Sequence, residues 1–212
     1  MKNYLRIILS SLLLIWATPS NAEFNFGVGL IVGQVESDGT ETEGTAADTS
    51  DRTKSFEEAF VGADIFAEYV YNGYTLGVTY IPIEKDVGSG TRTDVSGDGN
   101  ENDAGDRSAS AELEDMYSIY TNIPFGGSGF YGLLAYNEVD VITSETLPTS
   151  TYGNISIDGY TVGVGYKSGN MKFEISHTDF DDFSISASTD ADSSNSVAGD
   201  IDATTLRMTY GF

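Results

Sequence analysis

The 212-residue chain has no cysteine, and 33 acidic residues stand against 10 basic ones for a formal net charge of −23. Disulfides and thiol chemistry are excluded, and so large an acidic excess excludes a nucleic-acid-binding surface and opposes adsorption to anionic lipid. Glycine is abundant at 24 residues, Tyr and Phe number 13 and 11, and proline only 4, which suits a small closed barrel with a tight lumen and aromatic interfaces.

Lys2 and Arg6 precede an apolar run from Ile7 to Trp16, broken only by Ser10 and Ser11, and the small residues Ser20 and Ala22 follow. Residues 1–22 therefore read as a secretory signal peptide cut before Glu23. The run falls short of the roughly 20 apolar residues of a spanning helix. Its removal leaves 8 basic against 33 acidic residues, a net −25. No later segment is apolar enough for a membrane helix, so membrane association of 23–212 requires strands.

The rest alternates with a period of two, which separates the two faces of a strand. Phe24, Phe26, Val28, Leu30 and Val32 form one apolar face, and Ala59, Val61, Ala63, Ile65, Ala67, Tyr69 and Tyr71 the next, with Asp64 and Glu68 opposite. Asn72-Gly73 is a two-residue hairpin signal, after which Tyr74, Leu76, Val78 and Tyr80 alternate with small residues. In the fourth strand Leu113, Tyr117, Ile119 and Thr121 are the expected outward set, though Tyr120 leaves the phase open. Beyond the glycine-rich turn 124–129, Tyr131, Leu133, Ala135, Val139 and Val141 are the expected outward set, alternating with Gly132, Tyr136, Glu138 and Asp140. Tyr160, Val162, Val164 and Tyr166 oppose Thr161, Gly163, Gly165 and Lys167; Met171, Phe173 and Ile175 oppose Lys172, Glu174 and Ser176. Leu206, Met208, Tyr210 and Phe212 share the last apolar face, with Arg207 and Thr209 on the other.

Eight strands joined by three short turns and four long loops, about 36–58, 85–112, 143–156 and 179–202, predict an all-β, eight-stranded antiparallel up-and-down transmembrane barrel over 23–212. Residues 36–58, 84–112 and 179–202 hold 23 of the 33 acids, and the short turns none; these loops are expected on the extracellular side. Phe24, Phe26, Tyr69, Tyr71, Tyr74, Tyr131, Tyr166, Tyr210 and Phe212 fall near the short turns and predict a periplasmic aromatic rim. A soluble β-sandwich or lipocalin-like barrel would turn the same faces inward. The signal segment, the terminal phenylalanine and the clustering of aromatics at one rim favour the membrane.

The segments Tyr160-Thr161-Val162-Gly163-Val164-Gly165-Tyr166, Gly129-Phe130-Tyr131-Gly132 and Tyr210-Gly211-Phe212 give the mature chain a resemblance to the small outer-membrane barrels: the OmpA transmembrane domain, OmpX and opacity proteins. The resemblance implies Sec export to a Gram-negative outer membrane and contact with its lipid and lipopolysaccharide. It also implies delivery by the barrel assembly machinery, with Phe212 and its strand as the signal. No length remains after the last strand for a peptidoglycan-binding domain. The resemblance specifies architecture and not activity.

Side chains nearly fill an eight-stranded lumen. The expected inward charges are Asp64, Glu68, Glu138, Lys167, Lys172, Glu174 and Arg207, and buried charges need partners. A salt-bridged plug is therefore expected, with Arg207 and Lys172 facing Glu68, Glu138 or Glu174; a narrow cation-preferring channel is the alternative. In 94–100, Asp94, Asp98 and Asn100 match the first half of a calcium loop, but Gly105 stands where its bidentate glutamate belongs. Calcium or magnesium held more loosely by the acidic loops, bridging to lipopolysaccharide phosphates, is the broader expectation. No other cofactor is implied, and the extracellular ligand is unspecified. An outer-membrane lipid-modifying enzyme would need a partner for His177, the one histidine. Its neighbour Ser176 points to the opposite face, so the chain reads as non-catalytic.

Overall fold

The computed structural model describes residues 22–45, 48–94, 105–146, 151–187 and 195–212. The signal segment, all but its last residue, lies outside them. Nine strands are described: β1 (Ala22–Thr45), β2 (Asp48–Tyr71), β3 (Tyr74–Asp94), β4 (Gly105–Pro124), β5 (Phe130–Thr146), β6 (Ile155–Ser168), β7 (Met171–Phe180), β8 (Phe183–Ser186) and β9 (Ser196–Gly211). Each of β1 to β7 pairs with the next antiparallel, β7 pairs with β9, and β9 returns to β1. That ring of eight is the closed up-and-down barrel expected from the alternation, and β8 extends it by pairing with the upper end of β9.

The short connections use the chemistry their geometry demands. Asn72 and Gly73 have φ of 51° and 83°, the paired positive values of a hairpin turn whose twist matches its strands. Outward side chains make a continuous apolar belt: Phe26, Val28, Leu30, Val61, Ile65, Val162, Phe173 and Leu206 are all exposed. A closed ladder with an apolar exterior satisfies most backbone groups internally and presents hydrocarbon to hydrocarbon, as a lipid bilayer requires; the shortest stretch of pairing in the ring is β2–β3, which runs only from Ile65–Tyr80 to Tyr71–Tyr74.

Three sequence expectations are corrected. First, β5 has the opposite phase: Tyr131, Leu133, Val139 and Val141 are buried in the lumen, whereas Leu134 and Tyr136 are exposed, with Glu138 on their side of the strand. Second, β4 turns Tyr117 and Ile119 outward but buries Leu113. A bulge between Glu114 and Tyr117, with Asp115 at φ 53°, shifts the parity by one residue. Third, the acidic stretches are largely strand. β1 and β2 pair up to Thr45 and Asp48, and β3 and β4 up to Asp94 and Gly105. Cross-strand polar contacts such as Thr40–Thr53 at 3.1 Å, Thr42–Asp51 at 2.8 Å and Thr93–Asp106 at 2.7 Å hold these extensions. The barrel thus carries a tall acidic crown of paired strands at its long-hairpin end.

Candidate functional site: the layered lumen

Inward residues sort into layers along the barrel axis. Nearest the short turns lies a charged layer. The Arg207 guanidinium forms a fork on Asp64, with Nε donating to Oδ2 at 2.8 Å and Nη2 to Oδ1 at 2.6 Å, while Nη1 donates to Glu174 Oε2 at 2.8 Å. Lys172 pairs with Glu68. Two tyrosines add to these pairs: Tyr131 Oη donates to Glu174 Oε1 at 2.6 Å, and Tyr120 Oη donates at 3.0 Å to Glu68 Oε2, the oxygen that Lys172 also holds. The Phe66 ring closes the layer, 5.4 Å from the Arg207 guanidinium and 5.5 Å from Lys172 Nζ, a favourable placement for a desolvated cation. Bidentate, charge-assisted pairing of this kind is the geometry in which buried charge best offsets its own desolvation.

Glycines make room for these side chains. A Cβ on Gly77 would lie 2.2 Å from the Tyr120 ring, and one on Gly165 would lie 2.3 Å from that of Tyr131. Each glycine is the direct cross-strand partner of its tyrosine.

Of the expected lumen charges, Asp64, Glu68, Lys172, Glu174 and Arg207 come together here. Glu138 does not, because the corrected phase of β5 turns it outward. Lys167 keeps its inward parity but sits half-buried at the short-turn mouth, and it makes no ion pair among the described residues.

Next comes a hydroxyl–amide chain across four strands. Ser118 donates to Asn137 Oδ1 at 2.7 Å, Asn137 Nδ2 to Thr161 at 2.8 Å, and Thr161 and Thr178 share a bond of 2.7 Å. It borders a cavity of about 90 Å³ whose other walls include Phe60, Ile81, Ile83, Leu113 and Met116. Above it Val35, Val87, Leu113, Val139, Val141, Ile157, Phe180 and Ile201 pack into a buried apolar cluster, with Val141 wholly inaccessible. Over that cluster the crown encloses an open vestibule of about 420 Å³, with Val141, Phe183, Ile185, Val197 and Ile201 among its lining. Alternation alone places the β5 members of this layer, Val139 and Val141, on the lipid face; the structure buries them here instead.

On the outer wall, Phe24, Phe26, Tyr71, Tyr74, Tyr166, Tyr210 and Phe212 are exposed at the short-turn end. Edge-on contacts link Phe24 to Phe26 at 4.8 Å and Tyr210 to Phe212 at 5.5 Å. Tyr69 is half-buried on the same face. Tyr131 is not part of this rim: it is 5% exposed and points into the charged layer. Phe125 and Phe130, exposed at the same end, were missed.

Asp94 closes β3, and Asp98 and Asn100 lie outside the described residues, so the calcium-loop expectation falls largely beyond them. Three other carboxylates gather instead: Glu84, Glu112 and Glu114 each bring an oxygen within 4.8 Å of the others on the outer face of β3 and β4, a spacing open to a divalent cation. A hydrogen bond with Asp86, then desolvation, raises the Glu112 pKa above the ordinary carboxylate value. His177 is exposed on the outer face between Thr204, 3.1 Å from Nδ1, and Asp202, 3.5 Å from Nε2. The order carboxylate, imidazole, hydroxyl is present. The surrounding backbone belongs to the β6–β7–β9 ladder, so among the described residues its N–H groups lie in strand pairing and not as a pair aimed at a developing oxyanion.

A closed barrel with an apolar belt, short turns at one end and a tall polar crown at the other is an outer-membrane β-barrel of the Gram-negative envelope. No protein-family model matches the chain, and no curated protein sequence does. Its fold is similar to that in the crystal structure of the outer membrane protease OmpT from Escherichia coli, at 12% identity and a TM-score of 0.49 over 90% of this chain and 98% of that one. It is also similar to the outer membrane protein OprG from Pseudomonas aeruginosa, at 12% identity and a TM-score of 0.45 over 88% and 96%. For Neisserial surface protein A the values are 11%, 0.37, 86% and 97%. The architecture stands on the chain's own strand register.

Proposed function

We propose that this chain is a non-catalytic, non-conducting outer-membrane barrel that serves as a structural or surface-interaction protein through its acidic crown. The observation that carries this reading is the double closure of the lumen. A charge-paired layer and a separate buried apolar layer lie in series, so an ion would have to disrupt both. The crown projects beyond the apolar belt and holds most of the acids, which makes it the part offered to partners outside the cell. Lipopolysaccharide phosphates would meet the Glu84, Glu112 and Glu114 carboxylates through bridging calcium or magnesium. The short-turn rim and the strand ending at Phe212 would serve assembly. Single-channel recording of the pure refolded protein in a planar bilayer tests the closure: no resolved steps are expected, and a steady unitary conductance would overturn it.

One observation favours a narrow cation channel instead. The charged layer holds three carboxylates, Asp64, Glu68 and Glu174, against two cations, Lys172 and Arg207, leaving an excess negative charge in the lumen. The apolar layer above provides no polar path to it, so we rank this reading second.

A further inference from the structure

The barrel wall is not equally sealed all round. The β1–β2 and β3–β4 ladders run the full height into the crown. Between them the β2–β3 ladder stops at Ile65 and Tyr80, after seven residue pairs. Pro82 follows at once, with no N–H to donate. Bulges between Ile81 and Glu84 and between Asp86 and Gly88 then steer β3 along β4. Above Ile65, β2 therefore has no ladder partner on its β3 side.

This seam begins inside the apolar belt. Ala59, Val61 and Ala63 continue the lipid-facing side of β2, and Val61 is 79% exposed, far more than its neighbours on the belt. A Cβ on Gly62 would meet nothing within 4 Å. Immediately inside lies the 90 Å³ cavity, bounded on the seam side by Phe60, Ile81 and Ile83; outside, Ala63, Ile65, Tyr80 and Pro82 line a shallow trough. Higher up, side chains close the seam: Lys85 pairs with Glu58, and Lys54 donates to the Ser89 carbonyl. The opening thus lies below the Lys85–Glu58 pair, beside the exposed apolar residues Ala59, Val61 and Ala63. Lipid offers no hydrogen-bond partner, so unpaired backbone beside hydrocarbon is tolerated only where it lines a cavity, which here is the one bounded by Phe60, Ile81 and Ile83.

We propose that the β2–β3 seam is a lateral portal that admits a few methylenes of one acyl chain of an outer-leaflet lipid into the apolar side of the inner cavity. The head group stays outside, beside the carboxylates at the top of the belt, and the chain lies against Phe60, Ile81 and Ile83. The portal sits above the charged layer, so it does not depend on whether the lumen conducts.

The chain's one tryptophan, Trp16, falls in the signal segment, so an introduced indole is a clean reporter in the mature barrel. F60W, carrying A63C and P82C across the seam, would be reconstituted in phospholipid bilayers with bromine on the acyl chains. V162W, facing lipid on a fully laddered wall, sets the reference for full quenching. With the cysteines reduced, F60W should be quenched at least half as strongly as V162W; after oxidation staples the seam, quenching should fall at least threefold. Quenching absent in the reduced state, or unchanged by oxidation, overturns the proposal. Hydrogen exchange on the unsubstituted barrel is the second measurement. Every other amide in 59–64 should exchange much faster than those in 65–71, and uniform protection across both stretches would mean that the seam is laddered and closed.

Discussion

The two lumen layers close the same barrel by opposite means. The charged layer depends on a few directional contacts: remove Arg207, and Asp64 and Glu174 lose their partner together. The apolar layer spreads its stabilisation over eight side chains, none of which has a unique partner. Specific pairing is brittle, whereas packing degrades by increments set by the cavity left behind.

That contrast can be broken or sharpened by substitution. Arg207→Ala should have the largest effect, because it leaves buried carboxylates without a cation: a loss of about 3–5 kcal/mol, read as a lower urea midpoint of the vesicle-folded barrel. A midpoint within error of wild type would show the layer to be hydrated. Ile201→Ala, in the apolar layer, should cost about 2–4 kcal/mol, with a further and roughly additive loss for a second apolar truncation. Neither variant alone should conduct in a bilayer, whereas the two combined should, since only then are both closures breached. Gly77→Ala inserts a methyl against the Tyr120 ring and should cost about 1–3 kcal/mol; restoring stability with Tyr120→Phe would place the strain elsewhere.

Smaller effects belong outside the lumen. Phe212→Ala should change the folding midpoint in detergent by less than about 1 kcal/mol, since the ring is a surface contact, while lowering the amount of barrel assembled in cells. Equal loss in both assays would reduce Phe212 to rim packing. In the crown, desolvation and the carboxylates of Asp38, Asp182, Asp202 and Asp179 raise the Asp200 pKa above its ordinary value. A raised carboxyl pKa in the folded state penalises folding at high pH, and the penalty fades as pH falls through that folded value. Protease nicking at the β8–β9 hairpin should therefore slow as pH falls through the raised Asp200 pKa, and Asp200→Asn should weaken the dependence.

The staves most legible in the sequence are those whose two faces differ sharply. In β2, Val61 and Ile65 alternate with Asp64 and Glu68, and in β9, Leu206 and Met208 alternate with Arg207 and Thr209; both phases are as expected. β5 misleads because both faces are apolar: Tyr131, Leu133 and Val139 on one, Phe130, Leu134 and Tyr136 on the other. The polar residue that decides it is Asn137, which shares the parity of Tyr131 and anchors the hydroxyl–amide chain. Glu138 reads as a lumen charge by alternation, yet its outward position follows Leu134 and Tyr136 toward the crown end of the strand. Leu113 was lost to the bulge at Asp115, since one inserted residue inverts every later side chain. The crown strands left no hydrophobic signature because a ladder exposed on its outer face can be built from Thr, Ser and Glu.

Gly77 and Tyr120, like Gly165 and Tyr131, occupy one volume between them. Sequence drift at either position is therefore constrained by the other. A methyl gained at the glycine is tolerated only if the ring shrinks, and exchanging the two residues across the strands would fill the same space. Such couples behave as single inherited characters split over two strands. A designer enlarging this lumen would need to edit them in pairs, starting with the couple whose hydroxyl does not touch Glu174.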